Sequence, residues 1–205
     1  MNTTASIVGI SRHRISIDGK GVTTLVAFAG CPLRCRYCLN PHSWNGKAEV
    51  HSFTPQQLYE YVKLDQLYFL ATGGGLTFGG GEPLLQPDFI ADFRSVCGDD
   101  WNLTLETSLN VPLPNWKKLL PVVNDYIVDI KDMNPQIYQR YTGKDNEMVI
   151  QNLQFLLDHV GAEHVLVRVP HIPDYNTDED VRKSREKLMS MGVTRIDEFT
   201  YRTDL

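Results

Sequence analysis

The chain has 205 residues, of which 42% are hydrophobic and 22% are charged, a composition typical of one globular domain. Its net charge of -5 is opposite in sign to the basic surfaces that attract nucleic acids and anionic membranes, so we expect neither as a partner. The first residues lack the segments of a signal peptide, and no apolar run reaches the ~20 residues of a membrane span. We therefore expect a cytoplasmic protein with a single domain over residues 1–205.

Six short apolar segments, each bounded by Gly, Pro, Asn or Asp, predict β-strands. They are residues 24–29, 76–78, 103–106, 126–131, 165–169 and 196–201. Residues 1–22 are expected to form a short extension before the first of these strands. Helical patterns separate the segments, and this alternation predicts an α/β fold in which right-handed crossovers build a parallel sheet.

The predicted helices carry clear signals at their ends. Thr54 begins a capping-box sequence with Pro at the first helical position, and Pro87 begins a second helix. Apolar residues recur on one helical face over 149–160, and this pattern ends at Gly161. Thr177 precedes three acidic residues, which favour the first turn of a helix because they complement its dipole.

Three of the four cysteines lie within eight residues, and Cys31, Cys35 and Cys38 are separated by three and two residues. Thiolates suit iron-sulfur clusters, and a four-iron cluster with three protein ligands has one open iron. A zinc site completed by His42 and a set of ordinary buried thiols are the alternatives, but no second ligand pair follows. The spacing favours the cluster. Cys97 lies on an apolar helical face and is expected to be a buried side chain rather than a fourth ligand.

A glycine-rich turn with a carboxylate follows the second predicted strand, in the sequence Gly79-Gly80-Gly81-Glu82. Glycines let the backbone approach a ligand closely, and an acid beside them can accept a cationic amine. The alternative is an ordinary tight turn between strand and helix. Ligands of parallel sheets bind at the carboxyl ends of the strands, where this turn and the cysteine loop both begin.

With these motifs, the chain resembles the radical S-adenosylmethionine (SAM) family, and within it the activating enzymes of glycyl radical enzymes. The resemblance covers residues 18–21, 30–41, 80–86, 106–108, 129–133, 141–143 and 168–176. It implies a partial (β/α)6 barrel, one [4Fe-4S] cluster held by Cys31, Cys35 and Cys38, and SAM bound to the open iron.

The resemblance also assigns roles in cofactor binding to matching positions. These are Tyr37 beside the adenine, Gly80, Gly81 and Glu82 at the methionine amine, Asp129 and Lys131 near the carboxylate and ribose, Arg168 and Val169 along the nucleoside, and Thr107. Glu106 and Asp129 match the carboxylates that hold a monovalent cation in some members, with Glu in place of the commoner Asp. The alternatives are a strand-end ion pair for Asp129 and Lys131 and a solvated charge for Arg168.

The activity implied by the resemblance is reductive cleavage of SAM. A flavodoxin or ferredoxin supplies the electron, and the resulting radical takes a hydrogen atom from a backbone glycine of a partner similar to pyruvate formate-lyase. One alternative is a radical SAM enzyme acting on a small molecule, as 7-carboxy-7-deazaguanine synthases do. Another is a non-enzymatic iron-sulfur or zinc protein.

Two segments depart from the family pattern. Residues 18–23 lack the proline and arginine of the usual Asp-Gly-Pro-Gly and Ile-Arg sequence, which bears on recognition of the partner. Residues 199–202 replace a Leu-Pro-Tyr-His pattern, so Arg202 stands where the family has a histidine at the cofactor. No second cysteine-rich segment follows Pro41, and we therefore expect one cluster.

Overall fold

The computed structural model describes residues 3–47 and 49–201. Its strands are β1 (Ala5–Ile15), β2 (Val22–Phe28), β3 (His51–Phe53), β4 (Gly75–Gly79), β5 (Asn102–Thr107), β6 (Asp125–Asp129), β7 (Val165–His171) and β8 (Arg195–Thr200). Its α-helices are α1 (His42–Asn45), α2 (Pro55–Val62), α3 (Gln66–Thr72), α4 (Pro87–Cys97), α5 (Leu113–Trp116), α6 (Pro135–Thr142), α7 (Glu147–Val160) and α8 (Asp178–Ser190). Short 3-10 helices lie at Lys63–Asp65, Pro83–Leu85, Lys117–Leu119 and Ala162–His164.

The strands form a mixed, open sheet in the order β3-β1-β2-β4-β5-β6-β7-β8. The pairs β2–β4, β4–β5 and β7–β8 are parallel, whereas β1 runs antiparallel to both β2 and β3. Strands and helices alternate from β4 onward. This arrangement confirms the predicted α/β class and agrees with a partial barrel.

All six predicted strands are present as β2, β4, β5, β6, β7 and β8, with bounds that shift by one or two residues. The sheet is mixed rather than parallel throughout, because two strands that were not predicted, β1 and β3, are antiparallel additions. β1 lies inside the stretch that was predicted as an extension. Its polar second half, from Ser11 to Arg14, is largely exposed and lacks apolar alternation, and β3 has only three residues.

Two of the predicted helix starts are confirmed by capping boxes, and α4 begins at Pro87 as predicted. Thr54 Oγ1 accepts a hydrogen bond from the Gln57 N–H (3.2 Å), and Gln57 Oε1 accepts one from the Thr54 N–H (2.9 Å). Thr177 and Asp180 form the same reciprocal pair at the start of α8. Each capping box satisfies two backbone groups that the first helical turn leaves without partners. The helix α6, by contrast, was not predicted.

The chain forms two compact units, of which the first comprises the described residues of Met1–Cys31, Asn40–Thr107 and Leu113–Tyr126. Its core stacks Phe28 of β2 on Phe78 of β4, with ring centroids 5.5 Å apart. Phe89 and Phe93 of α4 meet these rings edge to face. Helix α4 therefore covers one face of β2 and β4 with its apolar side.

A buried carboxylate attaches β1 to the same unit. The side chain of Asp65 is fully buried, and it accepts hydrogen bonds from Arg12 Nε (2.8 Å) and Thr24 Oγ1 (3.0 Å). His13 Nε2 lies 2.8 Å from its Oδ1. Burial alone would raise the pKa of Asp65, but its bonds to Arg12 and Thr24 outweigh burial and lower it.

The second unit comprises the described residues of Pro32–Leu39, Ser108–Pro112 and Ile127–Leu205. Helix α7 presents buried Val149, Leu153 and Leu156 on one face. The buried carboxylate of Asp132 accepts hydrogen bonds from Asn176 Nδ2 (3.1 Å) and Ser184 Oγ (3.3 Å), which joins the loop after β6 to α8.

Within the residues that the structure describes, none of the helices combines the length and the apolar character needed to span a membrane.

Candidate active site

The glycine turn after β4 lies directly against the end of β2. The Gly81 N–H donates to the Phe28 carbonyl (3.0 Å), and the Glu82 N–H donates to the Gly30 carbonyl (2.8 Å). A Cβ at position 80, where φ is +81°, would lie 2.4 Å from Ala27 Cβ, and a Cβ at position 81 would lie 2.2 Å from the Gly30 oxygen. Only glycine allows this approach. Because Gly30 immediately precedes Cys31, the turn positions the start of the cysteine loop.

The structure brings two of the predicted cofactor-binding side chains together behind this turn. Glu82 is buried, and its Oε1 accepts hydrogen bonds from Thr107 Oγ1 (2.6 Å) and from the Leu84 N–H (3.2 Å). Glu106, the preceding residue of β5, is half-buried beside Gly79. The bonds from Thr107 and Leu84 hold the Glu82 carboxyl group in place at the end of β4.

The second unit holds the rest of the cysteine loop by backbone hydrogen bonds to the end of α6. The Arg34 N–H donates to the Thr142 carbonyl (2.9 Å), and the Arg36 N–H donates to the Tyr141 carbonyl (3.2 Å). These bonds lie on either side of Cys35. The segment 141–143, which belongs to the predicted resemblance, therefore supports the loop that carries Cys35.

Lys131 is a buried cation of the second unit. Its Nζ donates hydrogen bonds to Asp129 Oδ2 (2.9 Å) and Tyr201 Oη (2.7 Å), and its side chain is 7% exposed. Burial opposes its charge, but Asp129, Tyr201 and Cys35 together raise the pKa of Lys131 well above its ordinary value. Lys131 is therefore positively charged at neutral pH.

This cation also acts on the cysteine loop. Burial raises the pKa of the Cys35 thiol, and the positive charge of Lys131 opposes that rise. Cys31, Cys35 and Cys38 are half-buried and none forms a disulfide. Three thiols that form no disulfide are a donor set that suits an iron-sulfur cluster.

The remaining predicted residues of the second unit lie on the cysteine loop and on β7. Tyr37 Oη donates to Asp174 Oδ2 (3.1 Å), and its ring meets that of Tyr175 edge to face. Arg168 Nε lies 3.6 Å from Asp197 Oδ2, and its side chain is 14% exposed, so the alternative of a solvated charge was wrong. Val169 is buried.

Cys97 differs in part from its prediction. It is half-buried rather than buried, since it is the last residue of α4, and its Sγ lies 3.3 Å from the Gly98 carbonyl oxygen. Burial raises the pKa of this thiol to about 11, so it is neutral at physiological pH. The assignment of Cys97 as a residue that is not a ligand stays a prediction.

The donor set fits a cluster, but the ligand assignment itself stays a prediction. In residues 3–47 and 49–201, no three His, Cys, Asp or Glu side chains are grouped so as to hold a metal ion. Arg202, which stands in place of the family's histidine, lies outside the described residues.

Two tyrosines of the second unit were missing from the predicted site. Tyr201 bonds to Lys131, and Tyr141 lies beside Tyr201, with ring centroids 6.1 Å apart. A signal for each was present in the sequence, since Tyr201 matches the tyrosine of the Leu-Pro-Tyr-His pattern and Tyr141 begins the Tyr-Thr-Gly match. Neither signal indicates which side chain the hydroxyl would meet.

Comparisons with known proteins identify the family. The family model of the Radical SAM superfamily matches residues 25–188. The pyruvate formate-lyase-activating enzyme of Clostridium pasteurianum is 31% identical over 192 residues, which cover 91% of this chain and 78% of that protein. The (2S)-3-sulfopropanediol dehydratase activating enzyme of Klebsiella oxytoca is 29% identical, over 84% of this chain and 73% of that one.

A solved structure shares the fold at low identity. Streptococcus suis SuiB bound to S-adenosylmethionine superimposes with a TM-score of 0.64 and 12% sequence identity. The match covers 87% of this chain and 42% of that one.

Proposed function

Because the chain belongs to the radical SAM superfamily and has activating enzymes among its relatives, as the sequence predicted, we propose that it activates a glycyl radical enzyme. In this reaction it cleaves SAM reductively and removes a hydrogen atom from a backbone glycine of the partner. The observation that carries the proposal is the 31% identity to a pyruvate formate-lyase-activating enzyme over 91% of the chain. The partner is a glycyl radical enzyme similar to pyruvate formate-lyase.

The family implies a [4Fe-4S] cluster and SAM. We assign the cluster to Cys31, Cys35 and Cys38, which form no disulfide and supply thiol ligands. When bound, the cluster and SAM supply an electron transfer and a carbon radical that takes a hydrogen atom from the substrate. The protein holds the cluster and SAM in position and places polar and charged side chains beside them.

Residues of each unit have a separate task in this proposal. Glu82 and Thr107 present a buried carboxylate oxygen to the amine of SAM, and the close packing of Gly80 and Gly81 fixes the position of that carboxylate. In the second unit, Lys131 provides a positive charge for the SAM carboxylate and for the Cys35 thiolate. A charged donor makes stronger hydrogen bonds to an anion than a neutral donor does.

The other side chains of the proposed site contact the nucleoside of SAM. They are Tyr37 at the adenine, Asp129 at the ribose, and Arg168 and Val169 along the nucleoside. Glu106 and Asp129 are proposed as ligands of a monovalent cation, and carboxylate oxygens suit such a hard ion. A flavodoxin or ferredoxin is the proposed electron donor.

The proposal is tested by anaerobic reconstitution. We expect the reduced protein to form 5'-deoxyadenosine from SAM, measured by chromatography, and to produce a glycine-centred radical signal in a cognate glycyl radical enzyme, measured by electron paramagnetic resonance. A protein that binds only zinc, or a cluster whose spectrum does not respond to SAM, would contradict the proposal. Cleavage of SAM without a glycine radical in any cognate partner would instead favour a small-molecule substrate.

Replacing Lys131 with Met is expected to weaken SAM binding by about 10- to 100-fold while the iron content stays at the wild-type level. The variant keeps the apolar stem of the side chain but loses a charge-assisted hydrogen bond, which contributes about 1.5–3 kcal/mol. Equilibrium binding of SAM to the reconstituted protein measures the effect. The control is Lys118→Met, which removes an exposed ion pair with Asp88 and should leave SAM affinity unchanged. Equal affinities of Lys131→Met and the wild type would exclude the assigned contact.

A further inference from the structure

The turn of residues 172–177, between β7 and α8, is a strained segment with a fixed shape. Asp174 lies in this turn with φ at +67°, in the left-handed region that residues other than glycine seldom adopt. The buried side chain of Asn176 holds the turn closed, because it accepts the Ile172 N–H (2.6 Å) and donates to the Pro170 carbonyl (3.0 Å). Strained residues that the surrounding structure enforces cluster at binding sites.

The side chain of Asp174 reaches the cysteine loop at Tyr37. Tyr37 Oη donates to Asp174 Oδ2 (3.1 Å), across 137 positions of the chain. The next residue of the turn, Tyr175, meets the Tyr37 ring edge to face, with centroids 5.8 Å apart. The ring of Tyr141 packs against those of Tyr37 and Tyr175, with centroids 6.1 and 5.1 Å away. Hydrogen bonding and ring packing therefore fix the orientation of the side chain that precedes Cys38.

Arg140 fixes the turn from the end of α6. Its guanidinium donates to the carbonyl oxygens of Asp174 and Tyr175 and lies 5.2 Å from the centre of the Tyr175 ring. The next residue of α6 is Tyr141, whose carbonyl accepts the Arg36 N–H of the cysteine loop. The turn and the cysteine loop are thus attached to the same helix end. This shared attachment sets the position of Asp174 relative to the loop.

We propose that Asp174 is a positioning residue for SAM, which orients the Tyr37 ring against the adenine by accepting the hydrogen of its hydroxyl group. This inference rests on the proposed function, which places Tyr37 at the adenine. A ring that is already held in one orientation loses less conformational freedom when the nucleoside binds. The hydrogen bond therefore strengthens SAM binding and takes no part in the cleavage step.

The test is a double-mutant cycle on Tyr37→Phe and Asp174→Gly, with the Kd of SAM for the reconstituted protein as the measurement. Tyr37→Phe keeps the ring and Asp174→Gly keeps the left-handed backbone, so each removes one end of the hydrogen bond. We expect each variant to bind SAM about 3- to 10-fold more weakly than the wild type. The double variant should bind no more weakly than either single variant. The kcat for 5'-deoxyadenosine formation at saturating SAM should not change.

Asp174→Asn and Asp100→Gly are the controls. Asparagine tolerates the left-handed region and supplies an oxygen acceptor, so Asp174→Asn should bind SAM nearly as well as the wild type. Asp100→Gly makes the same chemical change at an exposed bend of the first unit and should not alter the affinity. Amide hydrogen exchange without SAM gives an independent readout. Exchange over residues 34–38 should be faster in Asp174→Gly and unchanged in Asp100→Gly.

The outcomes separate this inference from the proposed function. A wild-type protein that assembles a cluster but does not bind SAM would contradict the proposed function itself. If the wild type binds SAM and Asp174→Gly binds it equally well, the positioning role is overturned. Losses that add in the double variant would also overturn it, because Asp174 would then act independently of Tyr37. An Asp174→Asn variant as weak as Asp174→Gly, or a well-folded Asp174→Gly that loads less iron, would do the same.

Discussion

Cys35→Ala is expected to abolish both cluster assembly and SAM cleavage. Three thiolates and one open iron are the minimum that the proposed chemistry requires, and a two-thiolate loop cannot complete that set. The loop itself should remain in place, because the hydrogen bonds that hold it use the backbone N–H groups of Arg34 and Arg36. Iron and sulfide analysis of the reconstituted protein measures the loss, and circular dichroism checks the fold.

Cys97→Ala is the matched control for that substitution. It removes a half-buried, neutral thiol whose Sγ contacts the carbonyl oxygens of Arg94 and Gly98 at the end of α4. We expect full iron content and SAM cleavage, with a decrease of at most about 1 kcal/mol in the free energy of unfolding. Loss of the cluster in Cys97→Ala and its retention in Cys35→Ala would overturn the ligand assignment.

Gly81→Ala is expected to reduce SAM binding by about 10- to 100-fold. The new methyl group would overlap the carbonyl oxygens of Gly30 and Phe28, at 2.2 and 2.6 Å, and backbone atoms cannot rotate away as a side chain does. The turn must therefore move away from β2, which displaces Glu82 and the start of the cysteine loop together. Overpacking of this kind costs about 1–3 kcal/mol, which sets the size of the expected effect.

The control for this variant is Gly9→Ala in β1, where a Cβ meets no atom within 4 Å. It makes the same chemical change on an exposed strand, and it should leave SAM affinity and thermal stability close to wild type. Titration of the reconstituted protein with SAM measures both variants. If Gly81→Ala binds SAM as well as Gly9→Ala does, the turn does not position the cofactor.

The elements of the fold were predictable where the signal is local. Apolar segments bounded by Gly, Pro, Asn or Asp located β2 and β4 to β8, and the capping sequences at Thr54 and Thr177 located two helix starts, because these patterns reflect interactions within a few residues. β1 escaped prediction, since its stability comes from pairing with β2 and β3 and from the bonds of Arg12 and His13 to Asp65. Such pairing leaves no periodic pattern in the polar half of the strand.

The candidate site shows the same division. The cysteine spacing and the glycine turn were legible in the sequence because each belongs to one short loop with strict geometric needs. The bond between Lys131 and Tyr201 joins residues 70 positions apart, and the pair of Glu82 and Thr107 spans 25. Residue types alone do not specify such pairs.

The sequence by itself determined the family, through its resemblance to known motifs, and the positions of six strands, because apolar runs and their boundaries are properties of neighbouring residues. Only the tertiary structure decided that Lys131 is buried between Asp129 and Tyr201, and that Thr107 donates to the buried Glu82. The physical reason is that burial and charge depend on which distant segments pack together. These packing contacts form only when the chain has folded.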